Sequence, residues 1–553
     1  MLAGAGRLQK SGFGKLELTG DSSGFAGVTD VTAGTLAVNG KLGGALTVDA
    51  AARLQGTGTV GNTRINGTVA PGNSIGVLNV SGNLVLGPGA LYEVEVDPSG
   101  ASDRIVTSGS AILQGSAVQV LGGQGTYLPS RRYTILTADG GLTGAFSGVT
   151  SNLAFLSPTL GYDASHVYLT MTRNQVGFQS IGVTRNQRAA GAAVDSLRQG
   201  NPLYGAVLSL SAPQAQAAFD QFSGEAYASI RTALIEDSRY LREAINDRLR
   251  SAFDDAGQAG AASIGATEGQ PRLAKANAER AALWGQAFGA WAQTQGNDNA
   301  ARLSRSNGGF LAGADAPVSR HWRLGVLAGY SRTRFNVKDR STSGSSDNYH
   351  LGVYAGANWD HVVLRSGASH TWHDLSARRD INSPSFADRL TSDYRAGTSQ
   401  LYGELGYRSR VGPATIEPFV NMAWVKLHTR GFTEQGGAAA LTGRRADTHA
   451  AFTTLGLRAA STFDTRGAPL TIRGMAGWRH AFGPGAPAAT MRFADGGDAY
   501  SVSGLPLARN TAVLEAGLDY AATSNTVVGL AYNGQAGSGL SDHGVRATFN
   551  LKF

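Results

Sequence analysis

Residues 545–553 alternate without a break: Val545, Ala547, Phe549, Leu551 and Phe553 are apolar, and Arg546, Thr548, Asn550 and Lys552 are polar. On a strand the two sets occupy opposite faces. One face suits lipid and the other water, and an aromatic residue stands where a bilayer interface would hold it, so the segment reads as a strand of a transmembrane β-barrel. Closure is part of that reading. Within hydrocarbon an open sheet edge leaves its N–H and C=O groups unpaired, so one such strand commits a long stretch of upstream chain to the same closed sheet.

From residue 283 onward the same alternation recurs. It predicts strands over 284–293, 309–315, 323–336, 348–359, 362–372, 399–409, 414–428, 450–462, 470–480, 511–521, 526–534 and 544–553, an even number as bacterial barrels require. Leu401, Leu405 and Tyr407 oppose Tyr402, Glu404 and Arg408. Ile416, Val420, Met422 and Trp424 oppose Glu417 and Asn421, and Leu514, Ala516, Leu518 and Tyr520 oppose Glu515 and Asp519. Trp359, Trp424, Trp478, Tyr330, Tyr407 and Tyr520 fall near strand ends, as interfacial girdles do. A soluble antiparallel sheet also carries such residues, but it needs a second layer against its buried face, and none is evident after residue 283. Glu404, Arg408, Glu417, Arg458, Arg473, Glu515, Asp519 and Arg546 are expected to face the lumen and balance one another there.

Residues 1–175 are different: short β-favouring runs such as Lys15-Leu-Glu-Leu-Thr19, Thr35-Leu-Ala-Val38, Ala45-Leu-Thr-Val48 and Val77-Leu-Asn-Val80 are broken by Gly, Asn and Asp. Their close spacing suits the rungs of a solenoid, read as a right-handed parallel β-helix whose last part caps it. Near residue 185 the period changes. Helices are expected over 189–197 and 212–222, and one long helix over 225–250, with Ser223 as its N-cap and Ile230, Leu234, Leu241, Ile245 and Leu249 forming an apolar stripe. Its other face carries Arg231, Glu236, Asp237, Arg239, Arg242, Glu243 and Asp247, so it could cross a membrane only when shielded, either as a lumen plug or as a stalk just outside. Residues 251–272 read as flexible linker and 272–282 as a short helix.

Composition narrows the function classes. Charged residues make up 16% of the chain and no Lys/Arg block stands out, so the net charge of +8 does not argue for a nucleic-acid partner. There is no cysteine, hence no disulfide framework or thiolate site. Gly72-Asn-Ser74-Ile-Gly76 has the spacing of a hydrolase nucleophile elbow, but a strand follows where that motif needs a helix. Gly56-Thr-Gly-Thr-Val-Gly61 has dinucleotide-fingerprint spacing with no helix after it, and reads as a turn. Gly20-Asp-Ser22 matches the opening of a lipase block without the other blocks. His370 and His373 lie three apart on a strand, on opposite faces, and cannot share one metal ion. The chain is therefore expected to be no enzyme, with no catalytic residues, no cofactor and no metal.

Three stretches carry a resemblance to a known family. Gly4-Ala-Gly-Arg-Leu-Gln-Lys-Ser-Gly-Phe-Gly-Lys-Leu-Glu-Leu-Thr-Gly20 followed by Val31-Thr-Ala-Gly-Thr-Leu-Ala-Val-Asn-Gly40 resembles the passenger-associated transport repeat. Gly67-Thr-Val-Ala-Pro-Gly-Asn-Ser-Ile-Gly76 and Arg132-Tyr-Thr-Ile-Leu-Thr-Ala138 are similar to the end of many passengers. Phe222-Ser-Gly-Glu-Ala-Tyr-Ala-Ser229, the helix after it and the terminal strand resemble the translocator of the classical, type Va, autotransporters of Gram-negative bacteria.

The resemblance implies an all-β fold with a helical linker: a parallel β-helix passenger fragment with its cap over 1–175, a helical linker and pore-threading segment over 176–283, and a 12-stranded antiparallel transmembrane barrel over 284–553. It implies an outer-membrane translocator that secretes or displays its own passenger at the cell surface, the alternatives being an adhesin-type binding passenger anchored by the barrel or a simple porin-like channel. Implied partners are outer-membrane lipid and lipopolysaccharide, the barrel-assembly machinery and periplasmic chaperones, and a host or other cell-surface ligand for the passenger. Val545, Ala547, Phe549, Leu551 and Phe553 would be the assembly signal. The first ten residues lack the pattern of a secretion signal, so the chain is expected to begin inside a longer precursor.

Overall fold

The computed structural model describes residues 1–125, 127, 130–258, 281–465, 468–483, 485–523 and 525–552. Residues 272–280 of the expected short helix, most of the expected linker and Phe553 lie outside the described residues, and Ala282, placed at the end of that helix, instead begins a strand. Two units emerge, one built mainly from residues 1–183 with 194–219 and the other mainly from residues 220–381 with 388–553.

In the first unit every third strand pairs in parallel with its predecessor. Arg7–Lys10, Val28–Val31, Ala45–Val48 and their successors form one seven-stranded sheet, and two further sheets of seven and eight strands run beside it. Three short strands per coil and in-register stacking make a parallel β-helix. One interior column reads Leu16, Leu36, Leu54, Val69, Tyr92 and Val118, each the direct partner of the next. Like side chains stacked at strand spacing fill the narrow interior, and Leu36, Leu54, Val60, Ile65, Val94 and Val120 are fully buried. The cap is a hairpin. Leu156–Tyr162 and His166–Arg173 run antiparallel, the second pairing with Arg132–Ala138.

Helices follow: α1 (Phe178–Ile181), α2 (Arg185–Leu197), α3 (Pro202–Leu208) and α4 (Ala212–Phe222). Residues 202–208 were not expected to be helical. Asn201 caps α3, its side chain accepting a bond from the Leu203 N–H, and Pro202 occupies the first turn, where its missing N–H has no helical partner to lose.

The second unit is a closed antiparallel barrel of twelve long strands, as expected. The first, Ala282–Thr294, pairs with the last, Leu540–Lys552, from Ala282 opposite Lys552 to Thr294 opposite Leu540. Phe386–Tyr407 pairs with Ala414–Thr429 and completes the ring. Two neighbours are much longer than expected: Val362–Ser383 and Phe386–Tyr407 have 22 residues each. A second sheet was missed altogether. Phe432–Thr433, Leu441–Gly443, Ala488–Phe493 and Gly496–Ser503 form four strands from the two longest inter-strand connections.

The long helix expected over 225–250 is two helices, α5 (Ala226–Asp237) and α6 (Arg239–Gln258), divided at Ser238. Helix α6 runs to Gln258, into residues expected to be linker. Ser223 does not cap α5. Glu225 holds the N-cap position, and its carboxylate accepts the Ala301 N–H at 2.7 Å instead of bonding its own helix.

Candidate functional site: the helix-filled barrel lumen

Every residue of α5 is buried, the charged face as well as the apolar stripe. The only way to bury both faces of such a helix is to surround it, and the barrel wall does so. Helices α5 and α6 occupy the lumen, so of the two placements left open by sequence the plug is the one adopted.

The chain ends orient the assembly. The first strand begins and the last strand ends at one mouth, where connections are short, whereas the connections over 430–445 and 483–509 leave the other mouth. Short periplasmic turns and long extracellular loops are the rule for such barrels, so the first mouth is the inner one. Helix α5 starts at the outer mouth. The Tyr227 hydroxyl donates to Glu434 at 2.7 Å and lies 2.8 Å from the Ser392 hydroxyl, and Thr232 donates to the Leu505 carbonyl at 2.5 Å. Glu434 in turn is held by both arms of Arg379 and by the Leu441 N–H.

Midway, Asp237 accepts from Arg305, Asn307 and Thr333 at 2.8, 3.1 and 3.0 Å. Glu236 pairs with Arg479 at 2.7 Å, and Arg239 with Asp542 at 2.7 Å. Arg242 donates to Gln400 at 2.7 Å, and Gln400 returns a bond to the Ser238 carbonyl at 3.1 Å, satisfying backbone freed by the helix break. Near the inner mouth Arg248 binds Asp315 through two bonds of 2.6 and 2.9 Å. Phe253 and Leu249 press on the wall at Gly356, where a Cβ would lie 2.8 Å from each.

The residues expected to line the lumen gather into two clusters. In the first, Glu404 is paired with Arg458 at 2.6 Å and with Arg365 at 2.9 Å, and Glu417 with Arg365, Arg458 and Arg408 at 2.7, 3.2 and 3.3 Å. In the second, Glu515 meets Arg473, Arg546 and Arg250, and Asp519 pairs with Arg473 at 2.7 Å. Arg546 also reaches Asp247 of α6 at 2.7 Å. Sequence reasoning missed Asp315, Arg365, Asp542 and Glu434, whose signal was a charge at an inward strand position or in a connection read as loop. Charge-assisted pairs of this density keep each buried ion compensated, which is the condition for placing it there at all.

On the outside the alternation places Val545 and Phe549 44% and 48% exposed, with Ala547 exposed and Leu551 half-buried. Aromatic residues form two belts: Trp322 and Trp359 meet edge to face at 5.7 Å toward the inner mouth, with Tyr407 and Tyr520 at the same end, and Tyr330 and Tyr349 lie 5.5 Å apart toward the outer mouth, with Trp424 and Trp478. His370 contacts Ser399 at 2.9 Å, whereas His373 binds Asn348 and Thr398 inside, so the two face opposite ways.

In the first unit, the tempting motifs have structural seats. Ser22 is buried and accepts the Leu2 N–H, Ser74 lies in a turn before the strand Val77–Val80, and Gly56 has φ +117° with the Val38 carbonyl 2.2 Å from where a Cβ would stand.

Residues 283–533 match the family model described as the autotransporter beta-domain, and residues 8–38 match the passenger-associated transport repeat. The chain is 32% identical over 605 residues to an "Extracellular serine protease" of Serratia marcescens, an alignment covering all of this chain and 56% of that protein. The chain belongs to the autotransporters. It spans little more than half the length of the Serratia relatives it matches. Over 112 residues, 20% of this chain and 3% of the other, it is 38% identical to the "Adhesin BmaC autotransporter" of Brucella suis biovar 1 (strain 1330). Among solved structures it is similar to the translocator domain of the autotransporter NalP from Neisseria meningitidis, at 13% identity and a TM-score of 0.43, covering 58% of this chain and 99% of that one. As an autotransporter, the chain is a type V secretion translocator, with its barrel in the bacterial outer membrane and its passenger at the cell surface. The names of the Serratia relatives narrow the expectation of a non-enzymatic chain to the barrel itself.

Proposed function

We propose that residues 1–175 are the barrel-proximal end of a passenger, a parallel β-helix with its cap, 176–283 the linker that threads the pore, and 284–553 the translocator, with Val545, Ala547, Phe549, Leu551 and Phe553 recognised by the barrel-assembly machinery after delivery by periplasmic chaperones. The observation that carries this reading is the course of α5 and α6. The polypeptide enters the lumen at the outer mouth beside Glu434 and approaches the inner mouth near Phe253, at the end where the first strand starts. A chain so threaded delivers everything before α5 to the outside.

No nucleotide is needed for that movement. Each coil added outside buries its column of Leu, Val and Tyr on the coil before it, so folding itself opposes return. Protease added to intact cells should remove residues 1 to about 220 and spare the barrel; complete protection of the N-terminal unit would reject surface display. A porin role is disfavoured because α5 and α6 occupy the lumen. A proteolytic passenger is the second reading, favoured by 32% identity to a named serine protease along the whole chain. Casein digestion by washed cells displaying the chain tests it, with cells lacking the chain as control. An adhesin-type passenger that takes a cell-surface ligand rests on the shorter likeness to BmaC, and cell-adhesion counts test that one.

A further inference from the structure

Just above the outer tyrosines the outward face of the barrel changes character on four adjacent strands. Strand Trp322–Val337 presents Leu324, Val326 and Tyr330 to lipid and then, on the same face, Arg332 and Arg334. The neighbours on either side of Arg334 in the sheet are Ser306 and Ser345, and Asn336, the next outward residue of that strand, lies between Ser304 and Ser343. One strand further on, Ser376 and Arg378 stand opposite Ser345 and Ser343. Arg332 leans toward Asp347 at 3.7 Å, and that carboxylate already accepts the Tyr330 hydroxyl at 2.5 Å. Arg378 pairs with Asp380 at 2.7 Å, and Arg334 makes no ion pair or hydrogen bond among the described residues.

Serine is an uncommon choice for outward strand positions, where β-branched and aromatic residues pack better. Small hydroxyl side chains between arginines leave a shallow, donor-rich bed rather than a packed face. Arg332 and Arg334 are about 7 Å apart along the strand, and the Arg378 strand is about 10 Å to the side, at ordinary strand spacings. Guanidinium forks match phosphate oxygens bidentately, and hydroxyl rows match sugar hydroxyls.

We propose that Arg332, Arg334 and the serines around them bind the phosphorylated sugar headgroup of an outer-leaflet glycolipid, that is, the lipid A part of lipopolysaccharide. This rests on the outer-membrane placement of the barrel and names the lipid site on it. The position is the argument for that occupant: the patch begins one step beyond the outer aromatic belt, at headgroup height, on the outward face, with Arg332 and Arg334 exposed there. A soluble anion would not need the apolar wall directly below.

The test uses the full chain inserted into nanodiscs of phosphatidylcholine alone, with phosphatidylglycerol, or with diphosphoryl lipid A at equal charge, followed by native mass spectrometry of lipids retained on release. The wild type should retain lipid A at least about fivefold more than phosphatidylglycerol, and R332S/R334S should lose that preference. A matched variant, R320S/R410S, removes two exposed arginines at the inner mouth and should keep it. Equal retention of both anionic lipids by the wild type, or an unchanged preference in R332S/R334S, overturns the site. Failure of the wild type to enter nanodiscs at all overturns the membrane barrel instead, and the site with it.

Discussion

Arg248 of α6 and Asp315 of the barrel wall form a bidentate pair, Nε to Oδ2 at 2.6 Å and Nη2 to Oδ1 at 2.9 Å, and the same carboxylate also binds Arg323 and accepts the Tyr354 hydroxyl at 2.8 Å. The wall acid is thus shared by two buried arginines. D315A removes the carboxylate from both guanidiniums at once, whereas R248A leaves Asp315 still paired with Arg323. Breaking a buried pair from one side costs about 3–5 kcal/mol, so D315A should lower the unfolding midpoint of the barrel well below that of R248A. Heat-modified mobility of the folded barrel on gels would read the order, and a milder D315A would remove the shared-acid account.

The lumen helices should act as the seal. Deleting residues 226–258 leaves twelve strands with a polar interior, and planar-bilayer recordings of that variant should give a conductance several-fold above the intact chain. Equal conductance would mean that ions pass some other way.

Phe549 lies on the lipid face, 48% exposed, so its loss removes little internal packing. The variant F549S/F553S should nevertheless cut the amount of barrel in outer-membrane fractions severely, because the proposed assembly signal and not the finished fold is damaged. Normal levels of folded barrel would show that these rings are not read.

Glu434 ties Arg379, Tyr227 and the Leu441 N–H together at the outer mouth. E434A should free the four-stranded loop sheet from the start of α5 and speed protease cutting around residues 222–226 on intact cells, leaving barrel yield unchanged. An unaltered cutting rate would place the closure elsewhere.

In the β-helix, Asp103 accepts the Gly76 and Glu95 N–H groups at 2.8 and 2.9 Å, yet burial raises its pKa from 3.8 to about 7. A folded-state pKa above the unfolded one favours folding while the group is protonated. That contribution is complete below about pH 4 and is lost as pH climbs through 7. Melting of the first unit, followed by circular dichroism, should therefore fall in temperature between pH 5.5 and 8.5. D103N should flatten this dependence while melting lower throughout, because its amide nitrogen faces one of the two donors.

What sequence made legible was whatever touches lipid. All twelve strands declared themselves because lipid on one side and water on the other impose strict alternation. Where that contrast ends, so did the reading. Beyond Trp372 the outward residues of Val362–Ser383 are Asp374, Ser376 and Arg378 while Leu375, Ala377 and Ile381 turn inward, so the apolar face changes sides and the strand continues unseen for eleven more residues. The loop sheet escaped for a similar reason, its strands being too short to show a period. For α5, an amphipathic pattern suggested one dry face, but a lumen lined by Arg365, Arg479 and Asp542 accepts a charged face as readily as an apolar one. The lumen clusters were half legible: the acids and bases could be picked out, but not who pairs with whom, since register between distant strands decides it.

The outward face of Trp322–Val337 is apolar from Trp322 to Tyr330, eight positions, or about 27 Å along the strand and about 20 Å once the usual tilt is taken into account. The two aromatic belts therefore act as a fixed ruler on the bilayer. Thicker hydrocarbon has to pinch inward where it meets this wall, and the protein should partition toward thin membrane patches before any specific lipid is chosen.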